Sequence, residues 1–135
     1  MIDKWETETL QERWNATDTC RLARQTWPSV DNKRTKDLLL LPRLRLSLTV
    51  GVLTGHCLIG HHATRLNVPS HDFCRSCQDE EEEESTQHLL LHCPALARLR
   101  FNHLGDYFIN SLPDIAERRP VKISNYVKST KWFEK

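Results

Sequence analysis

The chain has 135 residues, 39% apolar and 27% charged, which suits one small globular domain with a modest core. Its 19 basic side chains face 18 acidic ones, so overall charge gives no argument for a polyanionic partner. Met1 to Thr9 lacks the apolar stretch of a secretory signal, and the longest unbroken apolar run, Leu38 to Pro42, is far too short to cross a bilayer. The expectation is a soluble intracellular protein without membrane association, with nucleus and cytoplasm not distinguished.

In chain order, Asp3 to Thr26 reads as helix in one or two pieces, anchored by Trp5, Leu10, Trp14, Cys20, Leu22 and Trp27. Asn15 to Asp18 is a plausible break and re-cap through Thr17 or Asp18, and Pro28 stops the region. Ser29 to Thr35 is polar and reads as a connection. Asp37 to Leu53 is ambiguous. Leu44, Leu46, Leu48, Val50 and Val52 alternate with polar or small residues, which is strand periodicity; Leu41, Leu44, Leu48 and Val52 also form a helical stripe that Pro42 could open. Periodicity alone favours the strand.

Gly55 marks a break, and Cys57 to Leu66 predicts a short helix closed by Asn67 and Pro69. Ser70 to Glu84 reads as loop. A helix starts at Ser85, its candidate N-cap, and Pro94 to His103 is amphipathic and ends at Gly105. Pro113 to Glu117 suits one helical turn. Val121 to Phe133 suits a last helix, with Ile123, Tyr126, Val127 and Trp132 as its apolar set.

Chemistry concentrates in one constellation, Cys74, Cys77, His88 and Cys93, spaced C-x2-C-x10-H-x4-C. Two residues between thiolates let both sulfurs face one centre, and zinc takes four nitrogen or sulfur ligands in a tetrahedron. With every position filled by protein, such a site is structural rather than catalytic. It would add folding free energy to a chain with limited apolar burial. His92, one helical turn after His88, offers a rival set, C-x2-C-x10-H-x3-H, and spacing leaves the two competing. Cys93 is preferred because thiolate is a strong zinc ligand and Pro94 fixes the chain as it leaves.

His56, His61 and His62 cluster near Gly55 and Gly60 without a neighbouring carboxylate, and read as helix-start and solvated residues. Cys57 and Cys20 read as small core or half-buried residues. The acidic run Asp79 to Glu84 falls inside the proposed metal loop and reads as a solvated, mobile insertion, because like charges repel. The chain outside it is basic. Arg43, Arg45, Arg65 and Arg75, within a wider set that includes Lys33, Arg34, Lys36, Arg98 and Arg100, are candidates for phosphate contacts. No G-x-S-x-G, P-loop, G-x-G-x-x-G or H-E-x-x-H motif occurs, nor a separated acidic set for two catalytic metals.

Four signatures, in order, resemble a known family. Trp5 to Trp14, Leu53-Thr-Gly-His56, the stretch from Asp72 through Cys77 and the acidic run to His88-Leu-Leu-Leu-His-Cys-Pro94, and Lys128 to Phe133 resemble the segment after the ribonuclease H domain in jockey-like non-LTR retrotransposon polyproteins. The resemblance implies helix rather than strand at Arg43 to Leu53, and His88 with Cys93 as third and fourth ligands. It also implies that the reverse transcriptase and ribonuclease H carboxylates lie before residue 1.

The expected architecture is therefore mainly α, a small helical domain organised around a CCHC zinc knuckle with little or no β-structure. Its segments are 1–53, a helical part following an absent ribonuclease H domain; 54–104, the LTGH and zinc-binding module; and 105–135, a helical tail. The expected function is a non-catalytic accessory module that assists binding of RNA or an RNA–DNA hybrid. The second expectation is a structural module packing on the parent reverse transcriptase and ribonuclease H, and a distant third is a residual ribonuclease.

Overall fold

The computed structural model describes residues 4–57, 59–67 and 73–133, without the side chains of residues 61, 62 and 64. It is mainly helical, and among the described residues no sheet forms; the extended pairing is a single antiparallel bridge between Phe73 and Glu83. The helices are α1 (Lys4–Ala16), α2 (Arg21–Thr26), α3 (Asn32–Leu39), α4 (Arg43–Thr54), α5 (Gly60–Arg65), α6 (Ala97–Leu104), α7 (Leu112–Ala116) and α8 (Pro120–Thr130). A π turn over His88–His92 and a 3₁₀ turn over Pro94–Leu96 lead into α6.

The ambiguous segment is helix, not strand. Pro42, extended at ψ 148°, sits just before α4, and its carbonyl accepts from Leu46 N–H at 2.8 Å. Thr49, Val52 and Leu53 are buried at helical spacing, while Leu44 is 85% exposed. Packing of α4 on α2 and α8 thus overrides the local alternation. Gly55, at φ 81°, ends α4 in the left-handed region that favours glycine.

Other boundaries differ from expectation. The connection after Pro28 is shorter, because the Asp31 carboxylate accepts from Lys33 and Arg34 N–H and starts α3 at once. Neither Thr17 nor Asp18 caps α2; Cys20 precedes it in a left-handed conformation with no side-chain cap. Cys20 is exposed, and α1 buries no residue, with Trp5 71% exposed. Helix α1 is tied to the segment after α2 by side-chain bonds: Trp14 Nε1 donates to the Trp27 carbonyl at 2.6 Å, and Gln11 donates to the Pro28 carbonyl at 2.9 Å and accepts from Val30 N–H at 2.8 Å. The short helix begins at Gly60 rather than Cys57, and Asn67 follows it at φ 55°. Pro69 and Asp72 lie outside the described residues.

One apolar cluster draws on all three sequence segments, from Val52, Leu53 and Cys57 through Leu89 to Leu91 and on to Ile115, Ile123, Tyr126, Val127 and Trp132. Helix α8 is its hub, packed on α3, α4 and α6. Ile123, Tyr126 and Val127 of the apolar set read in the sequence are on its buried face, but the helix ends at Thr130 rather than Phe133, where Lys131 turns left-handed, and Trp132 is buried beyond it. Among the described residues no helix is long and apolar enough to cross a membrane.

Candidate metal centre

Cys74 and Cys77 sit on a tight turn closed by Gln78 N–H donating to the Cys74 carbonyl at 2.9 Å. The returning acidic segment holds that turn, because Cys74 N–H donates to the Glu82 carbonyl at 3.0 Å beside the Phe73–Glu83 bridge. The run Asp79 to Glu84 is therefore not a uniform solvated insertion. The Asp79 carboxylate accepts from Glu81 N–H at 2.9 Å to shape the bend, and Glu84 is buried while its acidic neighbours are exposed.

The second pair comes from the π turn. Ser85 Oγ accepts from His88 N–H at 3.1 Å, as an N-cap does. The turn then closes with Cys93 N–H donating to the His88 carbonyl at 2.8 Å, an i→i+5 bond. In a regular α-helix the residue stacked over His88 would be His92. The wider turn brings Cys93 over His88 instead and leaves His92 exposed.

Cys74, Cys77, His88 and Cys93 thus converge, with their ligand atoms all within 4.8 Å of one another, and they could hold a metal ion. Cys74 Sγ and Cys93 Sγ are 3.6 Å apart, and Cys77 Sγ and His88 Nε2 are 3.4 Å apart. Two thiolates on one tetrahedral zinc stand about 3.8 Å apart, and a thiolate and an imidazole nitrogen about 3.6 Å, so these edges fit the ion. The outer ring nitrogen fits as well. His88 Nδ1 is buried without a hydrogen bond, and Glu82 Oε2 lies 3.4 Å from it. A carboxylate behind a ligating imidazole is the usual means of fixing its tautomer.

Burial lowers the His88 pKa, with Glu82 acting the other way, so the ring is neutral with a lone pair to give. Burial, then the neighbouring Cys74, pushes the Cys93 thiol up to about 12. Its ionisation therefore needs a local cation, as thiolate–metal sites supply. Cys57, buried as expected, is likewise pushed up to about 12 by burial and then by Glu84.

Two supports were not legible in the spacing. The Arg75 guanidinium pairs with Glu84 through Nε–Oε2 at 2.8 Å and Nη2–Oε1 at 2.6 Å, and its Nη1 donates to the Trp132 carbonyl at 2.9 Å. Trp132 Nε1 donates to Ser76 Oγ at 2.6 Å, so the C-terminal tail clamps the Cys-x2-Cys turn. Arg100, wholly buried, donates to the carbonyls of Leu89, Leu90, Cys93 and Tyr107. The Tyr126 hydroxyl also donates to the Leu89 carbonyl, at 2.6 Å.

The four arginines considered for phosphate contacts are not gathered by these contacts. Arg43 and Arg65 are exposed, Arg45 donates to Asn125 Oδ1 at 2.8 Å, and Arg75 is engaged as above. His56 is exposed, and the side chains of His61 and His62 lie outside the described residues. Comparison with known protein families, with curated proteins and with solved structures finds no match to this chain.

Proposed function

We propose that this chain is a non-catalytic zinc-binding accessory module, with Cys74, Cys77, His88 and Cys93 holding one structural zinc in a CCHC knuckle. The observation that carries the reading is the convergence of three sulfurs and one imidazole within 4.8 Å of one another, two of their separations close to tetrahedral edge lengths, with no ligand position left over for water. Following the sequence resemblance, its setting is the segment after ribonuclease H in a retrotransposon polyprotein. Metal analysis by mass spectrometry tests the centre. One zinc per chain is expected, lost in Cys74→Ser and Cys93→Ser and kept in His92→Ala. A metal-free wild type, or loss in His92→Ala, would overturn it.

Two partner readings follow, and exposed apolar surface favours the first. Trp5, Leu39, Leu40 and Leu44 are all more than half exposed, Leu40 by 82%. Such surface suits packing on the parent reverse transcriptase and ribonuclease H domains, or on another protein. Alone, the chain is expected to self-associate, and to become monomeric when joined to the upstream domain. A well-behaved monomer at high concentration would count against this. The second reading is an RNA or RNA–DNA hybrid partner, supported by the exposed guanidinium groups of Arg43 and Arg65. Salt-sensitive binding to labelled RNA is its expected outcome, and no binding at low salt would remove it.

A further inference from the structure

Resting on the metal-centre reading above, we infer that Arg100 is a positioning residue that selects the fourth ligand, holding the chain in the π register that presents Cys93 in place of His92. The sequence offers both residues to the same centre, one position apart. Which one arrives depends on whether the turn after His88 closes at i+4 or at i+5. The i+5 closure is the less common one, and it leaves backbone carbonyls near its end without the partners an α-helix would give them.

Arg100 meets three carbonyls there, sharing that of Leu89 with the Tyr126 hydroxyl and that of Cys93 with Leu96 N–H. Its Nε donates to Leu90 O at 3.0 Å, and its Nη2 to Leu89 O at 3.1 Å and Cys93 O at 3.2 Å. Three of its four carbonyl contacts thus fall between His88 and the end of the turn, and the fourth, Nη1 to Tyr107 O at 2.6 Å, anchors the guanidinium from the far side. A planar fork with five donors can meet four carbonyls at once, which a lysine ammonium cannot reproduce in the same geometry.

Charge points the same way. Arg100 is 0% exposed, and among the described residues no carboxylate forms an ion pair with it. A buried cation is costly unless compensated. Three thiolates and one imidazole around a divalent ion carry a net charge of about −1, by the usual ligand charges. The guanidinium bonded to the Cys93 carbonyl is its complement. With His92 in place of Cys93 the centre would be neutral and the guanidinium would lose that counter-charge.

Cobalt(II) substitution tests this on the full chain, because sulfur-to-cobalt absorbance in the near ultraviolet scales with the number of thiolates. Wild type is expected to show a three-thiolate spectrum. In Arg100→Gln and Arg100→Lys the charge-transfer absorbance per bound cobalt should fall by about one third as Cys93 leaves the centre. His92→Ala should be silent in the wild-type background but weaken cobalt binding about tenfold in the Arg100→Gln background, a coupling that a merely structural role would not produce. A three-thiolate spectrum in both Arg100 variants would overturn the inference. So would variants that fail to fold even in excess cobalt, since Arg100 would then be a general core residue. A wild type that takes up no cobalt would sink the metal centre itself, which is a separate result.

Discussion

The Glu84 carboxylate is fully buried, and Arg75 grips it with two parallel N–H···O bonds at 2.8 and 2.6 Å. Arg75 lies within the Cys-x2-Cys turn, so the pair ties that turn to the end of the acidic run, with the guanidinium also lying 5.0 Å over the Trp132 ring. It fixes the last residue of the acidic run as interior structure and leaves the others at the surface.

Removing one partner should cost more than removing both. Arg75→Met strands a buried carboxylate, and a loss of about 2–3 kcal/mol is expected, below the range for fully buried pairs because Arg75 is partly exposed. Arg75→Met with Glu84→Leu should recover much of it, since an apolar pair of similar volume needs no compensation. Denaturant unfolding of the four proteins in a double-mutant cycle measures the coupling. Additive losses would mean that the pair contributes nothing beyond its separate contacts.

Chelation should act unevenly along the chain. The Cys74–Glu82 and Cys93–His88 backbone bonds belong to segments with little regular structure of their own, so metal is expected to supply much of their protection. Amide exchange at Cys74 and Cys93 should accelerate strongly in excess chelator, while Leu46 N–H, bonded to the Pro42 carbonyl in α4, keeps more of its protection. Trp132 should loosen with the turn it clamps. Unchanged exchange at all three amides would show that the fold is complete without metal.

The sequence was informative where one periodicity or one spacing decides the outcome. Ile123, Tyr126 and Val127 are the buried apolar face of α8 because their spacing admits one helical face only, whereas Trp132 is buried beyond the helix end, after Lys131 at φ 60°. The convergence of Cys74, Cys77 and His88 was likewise implicit in residue type and separation. Spacing left Cys93 and His92 competing, and the preference for Cys93 rested on thiolate affinity and Pro94, because the register we propose to decide between them is held from Arg100, seven residues beyond Cys93. Trp5 and Leu10 misled for a different reason: large apolar residues on a helix imply burial only if another element of this chain comes to cover them. Asp31 carried a legible cap signal that the polar composition around it obscured.

Alkaline stability should report on Tyr126. Burial pushes its phenol from an ordinary 10.0 up to about 12, with Arg100 acting in the opposite sense. A folded-state value above the unfolded one means a stabilisation fully present below pH 10 and lost as pH rises towards 12. Stability from denaturant curves should therefore drop more steeply over that window in wild type than in Tyr126→Phe. The variant should start about 1 kcal/mol lower, for the lost bond to the Leu89 carbonyl. Parallel pH profiles for the two proteins would show that the phenol ionises without resisting the fold.

Gly60 and Gly105 separate backbone strain from steric exclusion. Both have positive φ, 51° and 91°, so a side chain at either is strained, by about 1–2 kcal/mol. A Cβ at Gly105 would meet nothing within 4 Å, whereas one at Gly60 would lie 2.0 Å from the Glu84 carbonyl oxygen. That oxygen belongs to backbone and cannot swing aside. Gly60→Ala must then displace either the start of α5 or the Glu84 segment, and with it the Arg75 pair and the turn bearing Cys74. Its expected loss is about 3 kcal/mol or more, with weakened zinc retention, against about 1 kcal/mol and unchanged retention for Gly105→Ala. Thermal unfolding with competitive zinc transfer to a chelator distinguishes the two. Equal losses at both positions would mean that α5 does not press on Glu84 in solution.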